Sequence, residues 1–223
     1  MNRIMWFFLH MVKTGGTTLF KHIEKHIPNC RRVNVRTKPE SIDEFVSGHC
    51  YSLSLDSHKA FKDIEPRYIT IIRDPADWLL SVYHHDMSRR EKTIPFLDWY
   101  DCGEHNTVLP QPTSCRDRMT KYLETLLGCE GIENIIYHLN NSFYRVFITD
   151  KLNIDLPRFC DELGIGKDIE SRRVCGKYSK EDKKVIPKIQ EMTPELRNMI
   201  YKQNTLDLKI YVEARRIRGA SNE

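Results

Sequence analysis

A chain of 223 residues, 40% hydrophobic and 30% charged, has the length for one domain and the composition of a soluble globular protein with a real core. Its 35 basic against 31 acidic residues leave a formal charge of +4, too mild to argue for nucleic acid, whereas a local basic pocket for an anionic ligand fits it equally well. No stretch approaches the roughly 18 apolar residues that a membrane span needs, and seven cysteines with no CxxC argue against a zinc site.

Ile4 to Met11 is a nearly continuous apolar run, the pattern of a strand buried on both faces. His10 interrupts it and no small-residue cleavage site follows, so it reads as the first core strand and not as a signal peptide. Thr17 to Ile27 reads as a helix with Leu19, Ile23 and Ile27 on one face, stopped by Pro28 and Asn29. Arg31 to Pro39 reads as a basic loop with a short strand at Val33–Val35, and Ser41 to Val46 as a short helix ending at Gly48. Arg67 to Ile72 is the second clear strand; Arg73-Asp74-Pro75 turns it into a helix from about Ala76 to Glu91, with Pro75 suited to the first turn. Thr107 to Ser114 holds two prolines and no periodicity, and reads as a surface loop or lid. Helical patterns follow at Arg116–Leu127 and Glu133–Leu139, then a third strand at Tyr144–Ile148 and a helix at Leu156–Leu163. Arg172–Lys184 is charged and irregular before turning helical, and Thr193–Arg216 is helix-rich. Strands alternating with helices predict an α/β fold with a central parallel sheet flanked by helices on both faces. The cysteines are expected as buried thiols, with Cys102 and Cys115 able to pair in an oxidising compartment.

Two loops carry chemistry. Lys13-Thr14-Gly15-Gly16-Thr17-Thr18 joins the first strand to the first helix. Glycines let backbone N–H groups converge on an anion, the helix N-terminus adds partial positive charge, Thr17 and Thr18 offer hydroxyls and Lys13 a full charge. The lysine precedes the glycines, so the Walker order is absent, and no GxGxxG occurs. In the second loop Arg73 stands at the carboxyl end of a strand, where α/β sheets bind ligands, and Ser81 follows about two helical turns on. A guanidinium and a hydroxyl so placed can share one phosphate; the competing reading is an ion pair of Arg73 with Asp74 or Asp77 at the helix start.

Together the two loops resemble the cofactor signature of sulfotransferases that use 3′-phosphoadenosine 5′-phosphosulfate (PAPS). "HMVKTGGTT" is similar to their 5′-phosphosulfate loop, and "IIRDPADWLLSVYHH" to their 3′-phosphate motif. The likeness is to the carbohydrate branch that contains the heparan sulfate 2-O- and 6-O-enzymes. It extends to "SGHCYSL" at Ser47–Leu53, similar to the segment with that branch's catalytic histidine, and to "RMTKYL" at Arg118–Leu123, where Lys121 takes an arginine's position. "FITDKLNIDLPRFCDELGI" and "NTLDLKIYVEA" resemble later segments in the right order, with Asp150 in place of a common glutamate and Val12 in place of the usual proline.

The resemblance implies a single sulfotransferase domain over residues 1–223, a P-loop-like three-layer sandwich, and sulfuryl transfer by in-line displacement from PAPS to an acceptor hydroxyl, with adenosine 3′,5′-bisphosphate (PAP) as product. Lys13 would neutralise charge on the leaving group, and a histidine would take the acceptor's proton. His49 is the candidate base and His10 its main rival; His84 and His85 follow on the helix after Ser81. The cofactor would be held by Lys13, Thr14, Gly15, Gly16, Thr17, Thr18, Arg73 and Ser81, with Lys177 and Tyr178 from a late loop. No metal is implied. Arg31, Arg32, Arg36 and Lys38 are placed to greet an acidic acceptor, or else form a solvated basic loop. The acceptor is expected to be a saccharide, with a small metabolite or a tyrosine as alternatives. Animal carbohydrate enzymes of this type usually carry an N-terminal membrane anchor, so a chain opening on its first strand is expected to be a soluble cytoplasmic form, bacterial or viral, or a trimmed lumenal one. Two other classes fit the sequence, a P-loop-like kinase and a non-catalytic nucleotide-binding module.

Overall fold

The computed structural model of the chain describes residues 2–33, 39–40, 42–49, 53–88, 93–102, 115–166 and 190–220. Among these, five parallel strands form one sheet: β1 (Arg3–Leu9), β2 (Cys30–Arg32), β3 (Phe45–Gly48), β4 (Ile64–Ile72) and β5 (Arg145–Ile148), in the order β2-β3-β1-β4-β5. The helices are α1 (Gly16–His26), α2 (Pro75–Met87), α3 (Phe96–Cys102), α4 (Arg118–Leu127), α5 (Ile132–Asn141), α6 (Leu152–Glu162), α7 (Pro194–Gln203) and α8 (Thr205–Ala220).

Alternation along the strands explains the three layers. Trp6 and Phe8 of β1, Ile69 and Ile71 of β4 and Phe147 of β5 pack on one face against Leu19, Phe20 and Ile23 of α1 and Leu156 and Phe159 of α6. Met5, Phe7 and Leu9, Ile72, Val146 and Ile148 point the other way, into a larger core built with Trp78 and Val82 of α2, Leu123 of α4, Ile135 of α5 and Ile210 of α8. Both faces are covered, which is why β1 reads as an unbroken apolar run.

This winding creates the crevice. From β1 the chain moves outward to β2 and returns through β3; it then crosses to β4 and β5 on the other side of β1. The helix after β1 lies on one face of the sheet and the helix after β4 on the other. β1 and β4 are paired neighbours, Leu9 beside Thr70, so their following loops part at one point beyond the carboxyl ends of the strands. That is the switch point at which open α/β sheets take ligands.

Several sequence expectations are corrected. The segment expected as a helix from Ser41 to Val46 instead runs at Phe45 into β3, hydrogen-bonded between β1 and β2 with Phe45 beside Trp6 and Cys30. Four residues show no readable period, and pairing on both sides decides their state. The edge strand β2 lies at Cys30–Arg32, and of the strand expected at Val33–Val35 only Val33 is among the described residues, its amide donating to Ser47 O at 2.8 Å. α6 starts at Leu152, four residues before the expected Leu156, with Pro157 inside it. The 3₁₀ turn Ser57–Ala60 and α3 were not anticipated. The expected loop at 107–114, the segment 172–184, Lys177 and Tyr178, Arg36 and Lys38, and the Cys102 side chain lie outside the described residues. Cys30, Cys129 and Cys160 are free thiols, and burial raises Cys30 to about 12 and Cys160 to about 11.

Candidate active site

The loop from Leu9 to Gly15 is held by its carbonyls. Thr70 Oγ1 donates to Leu9 O (2.9 Å), and the Tyr122 hydroxyl (3.2 Å) and His49 Nδ1 (2.8 Å) to His10 O. Thr14 Oγ1 donates to Met11 O (2.7 Å), and Trp78 Nε1 to Val12 O (2.7 Å). Arg73 Nη1 donates to Lys13 O (2.9 Å) and Thr149 Oγ1 to Thr14 O (2.9 Å). Six consecutive carbonyls, 9 to 14, thus each accept from a side chain, the donors being Thr14 of the loop itself and residues from α2, α4, β4 and the ends of β3, β4 and β5. Held at every carbonyl, the run from Leu9 to Thr14 has a fixed path into the helix that follows it.

The run leads directly into α1. Its N-cap is Gly15, in the left-handed region at φ 94, with no side-chain cap and no acid in the first turn. First-turn N–H groups have no helical partner, and the dipole adds partial positive charge there. α2 is the contrast, since Asp74 caps it by accepting from Ala76 N (3.0 Å) and Asp77 N (3.1 Å), and Asp77 adds an acid. One helix start beside the crevice is filled by its own carboxylate; the other is bare and fits an external anion.

Two features shape the cradle. Lys13 has φ 63, uncommon for a residue with a side chain and tolerated because Trp78 and Arg73 hold the carbonyls at 12 and 13. A Cβ on Gly16 would fall on the His10 ring and 2.7 Å from Phe8 Cζ, so only glycine lets α1 start directly above His10.

His49 follows β3 and faces the same mouth. Its Nδ1 bonds to His10 O, a carbonyl that can only accept, so Nδ1 carries the proton and Nε2 presents its lone pair. Tyr122 lies 3.4 Å from Nδ1, and the His10 ring packs against His49 with centroids 4.5 Å apart. Burial pushes His49 below its ordinary value, Arg32 adds to this, and the bond to His10 opposes it. His10 is pushed down harder, by burial first and then by His49 and Arg32. It is a buried ring wedged between Phe8 and Gly16 that supports the loop, whereas His49 is only half-buried.

The remaining expected residues sort by geometry. Arg73 reaches the loop, and the ion pair it was expected to compete for belongs to Arg197 of α7, which bonds Asp74 Oδ1 (2.8 Å) and Asp77 Oδ1 (2.5 Å). Tyr201 also donates to Asp74. Ser81 is buried on α2. His84 is half-buried on α2, and burial lowers its proton affinity, a backbone bond at Gln190 opposing this and the Lys13 charge adding to it; Lys121 is exposed on α4. Arg31 pairs with Asp43 (3.0 Å) and Glu40 (2.9 Å). The sequence reading missed Trp78, Tyr122, Thr149 and Arg197; each acts on residues distant in the chain.

The late segments are structural clamps. Tyr211 donates to Asp150 (3.1 Å), the residue after Thr149. Asp117 at the start of α4 accepts from Leu206 N (2.9 Å) and Asp207 N (3.3 Å), while Asp207 at the start of α8 accepts from Met119 N (3.0 Å) and Thr120 N (2.8 Å). Each helix is capped by the other's carboxylate.

Solved structures share this architecture. A sulfotransferase from Alicyclobacillus acidocaldarius superposes with a TM-score of 0.56 at 14% identity, covering 94% of each chain. The mouse sulfotransferase SULT7A1, in complex with PAP, superposes with a TM-score of 0.51 at 13% identity, covering 100% of this chain and 90% of its own. The chain therefore has the fold of these sulfotransferases. Neither the scan against family models nor the search of curated proteins finds a match. Among the described residues no helix is long and apolar enough to cross a membrane.

Proposed function

We propose that this chain is a PAPS-dependent sulfotransferase that moves a sulfuryl group to an acceptor hydroxyl, with a saccharide as the acceptor. The observation that carries the reading is the bare N-terminus of α1 at the end of the stapled run Leu9–Thr14, with the His49 lone pair at the same mouth. The sulfotransferase fold and the PAP bound to SULT7A1 support the choice of anion.

The residues present fit such a group. The amides of Gly15, Gly16 and Thr17 and the Thr18 hydroxyl would hold the 5′ end, with Lys13 placed to offset charge on the leaving oxygen. Arg73 and Ser81 would hold the 3′-phosphate, with Lys177 and Tyr178 as further candidates. Bound there, PAPS would supply an activated sulfuryl group to an in-line acceptor. Nε2 of His49 would take the acceptor's proton; Nδ1–H on His10 O keeps the ring in that tautomer and oriented. The lowered proton affinity keeps His49 a neutral, competent base below its ordinary range.

Calorimetry with PAP, run beside ATP and adenosine 5′-monophosphate on wild type and Arg73→Ala, tests this. Tight binding that requires the 3′-phosphate and weakens in the variant is expected. Equal or better binding of ATP would overturn the assignment in favour of a kinase-like site.

A further inference from the structure

Two adjacent arginines on β2 have opposite fates. Arg31 is occupied by Glu40 and the buried Asp43, a structural pair. Arg32, on the other face of the strand, is exposed; its guanidinium lies over the Phe20 ring at 5.8 Å and brings Nη2 to 3.4 Å from His49 Nε2. The pairing of Arg32 with Ser47 fixes this approach, since Ser47 stands two residues before His49. The atom the guanidinium covers is the one on which the base function rests. An exposed cation resting on a neutral nitrogen acceptor is weakly held, and a carboxylate or sulfate forms a much stronger, bidentate partner for it.

We propose that Arg32 selects the acceptor by charge: an anionic group beside the reacting hydroxyl draws the guanidinium off His49 Nε2, and the same movement opens that lone pair to the hydroxyl. The inference rests on the reading of His49 as the base. It makes Arg32 a specificity-determining residue, with neutral acceptors meeting a covered base. Among the described residues, charged or titratable groups that face His49 include Arg32 from β2, His10 just after β1 and Tyr122 from α4. Of these only Arg32 is exposed.

The test is an NMR titration of the His49 ring in protein saturated with PAP, the signal being identified by its loss in His49→Gln. Wild type, Arg32→Gln and Arg31→Gln are each titrated alone and with methyl glucuronide, glucose 6-sulfate or methyl glucoside. In Arg32→Gln the His49 midpoint should rise by about half a unit or more, because a neighbouring positive charge is gone. Both anionic sugars should raise the midpoint in wild type and in Arg31→Gln, and not in Arg32→Gln; the neutral glucoside should move none of them. The two anions separate a carboxylate from a sulfate preference. An unchanged midpoint in Arg32→Gln, or no response of wild type to either anion, overturns the proposal. Failure of PAP to bind in the same samples would instead count against the cofactor assignment, so the two failures are distinct.

Discussion

Asp74 offers a quantitative test of how the crevice is braced. Its carboxylate, largely buried, caps α2 through Ala76 N and Asp77 N and receives Arg197 and the Tyr201 hydroxyl from α7. Replacing it with alanine removes an N-cap, about 1 kcal/mol. It also removes the charge-assisted bonds from α7, about 2 kcal/mol net. The full penalty for orphaning a buried charge, about 3–5 kcal/mol, is not reached, because Arg197 keeps Asp77 Oδ1 at 2.5 Å. The expected loss for Asp74→Ala is therefore about 3 kcal/mol, which for a chain of this size lowers Tm by roughly 6–12 °C. Asp74→Asn keeps an oxygen for the two amides and should lose only about 2 kcal/mol. Urea unfolding followed by circular dichroism, with thermal melts alongside, measures both. A loss under about 1 kcal/mol for alanine, or asparagine no better than alanine, would refute the account of Asp74 as a joint between α2 and α7.

Further outcomes follow from the site. Gly16→Ala should destabilise by about 1–3 kcal/mol through overpacking on His10 and Phe8, and weaken PAP binding more than Gly128→Ala, which meets nothing, as calorimetry would show. His49→Gln should cut kcat by about 10²–10⁴-fold while PAP binding persists; equal loss of both would place His49 in binding. The base must be neutral and its proton affinity is lowered, so kcat/KM should rise with pH through a midpoint below 6.5 and be flat above it. Burial, with the Asp117 charge adding, holds the Asp207 carboxyl up at about 7, above its unfolded value near 4. The stability this contributes is full below the unfolded value and is lost as pH rises through about 7. Relative to Asp207→Asn, wild type should therefore lose stability between about pH 4 and 7, read from urea midpoints at successive pH values.

The parts of the site legible in the sequence are those whose physics is local. Lys13 to Thr18 is a contiguous turn between an apolar run and an amphipathic helix, and Arg73 ends another apolar strand; in both, residue type and position coincide. His49 was reached through resemblance, because β3 is four residues long and shows no period. What holds the loop was not legible. Trp78 acts on Val12 across 66 residues, Tyr122 on His10 across 112 and Thr149 on Thr14 across 135. A tryptophan or tyrosine in a helix, or a threonine at a strand end, shows no special role in the sequence until the tertiary fold supplies the carbonyl it serves. Arg31 and Arg32 show the same limit at short range. They are identical in type and adjacent, and only the positions of Asp43 and His49, before and after the neighbouring strand β3, separate an arginine held in an ion pair from one beside His49.

The exchanged caps of α4 and α8 tie the assembly of the site to the order in which the chain is made. Met119 and Thr120 receive their carboxylate from Asp207, 88 and 87 residues later. During synthesis α4 emerges with its first turn unsatisfied, and Tyr122, one turn further on, has no fixed place from which to reach His10 and His49. The mouth of the crevice is therefore completed only after α8 has left the ribosome, and the two helices should open together in native-state hydrogen exchange as a single cooperative unit.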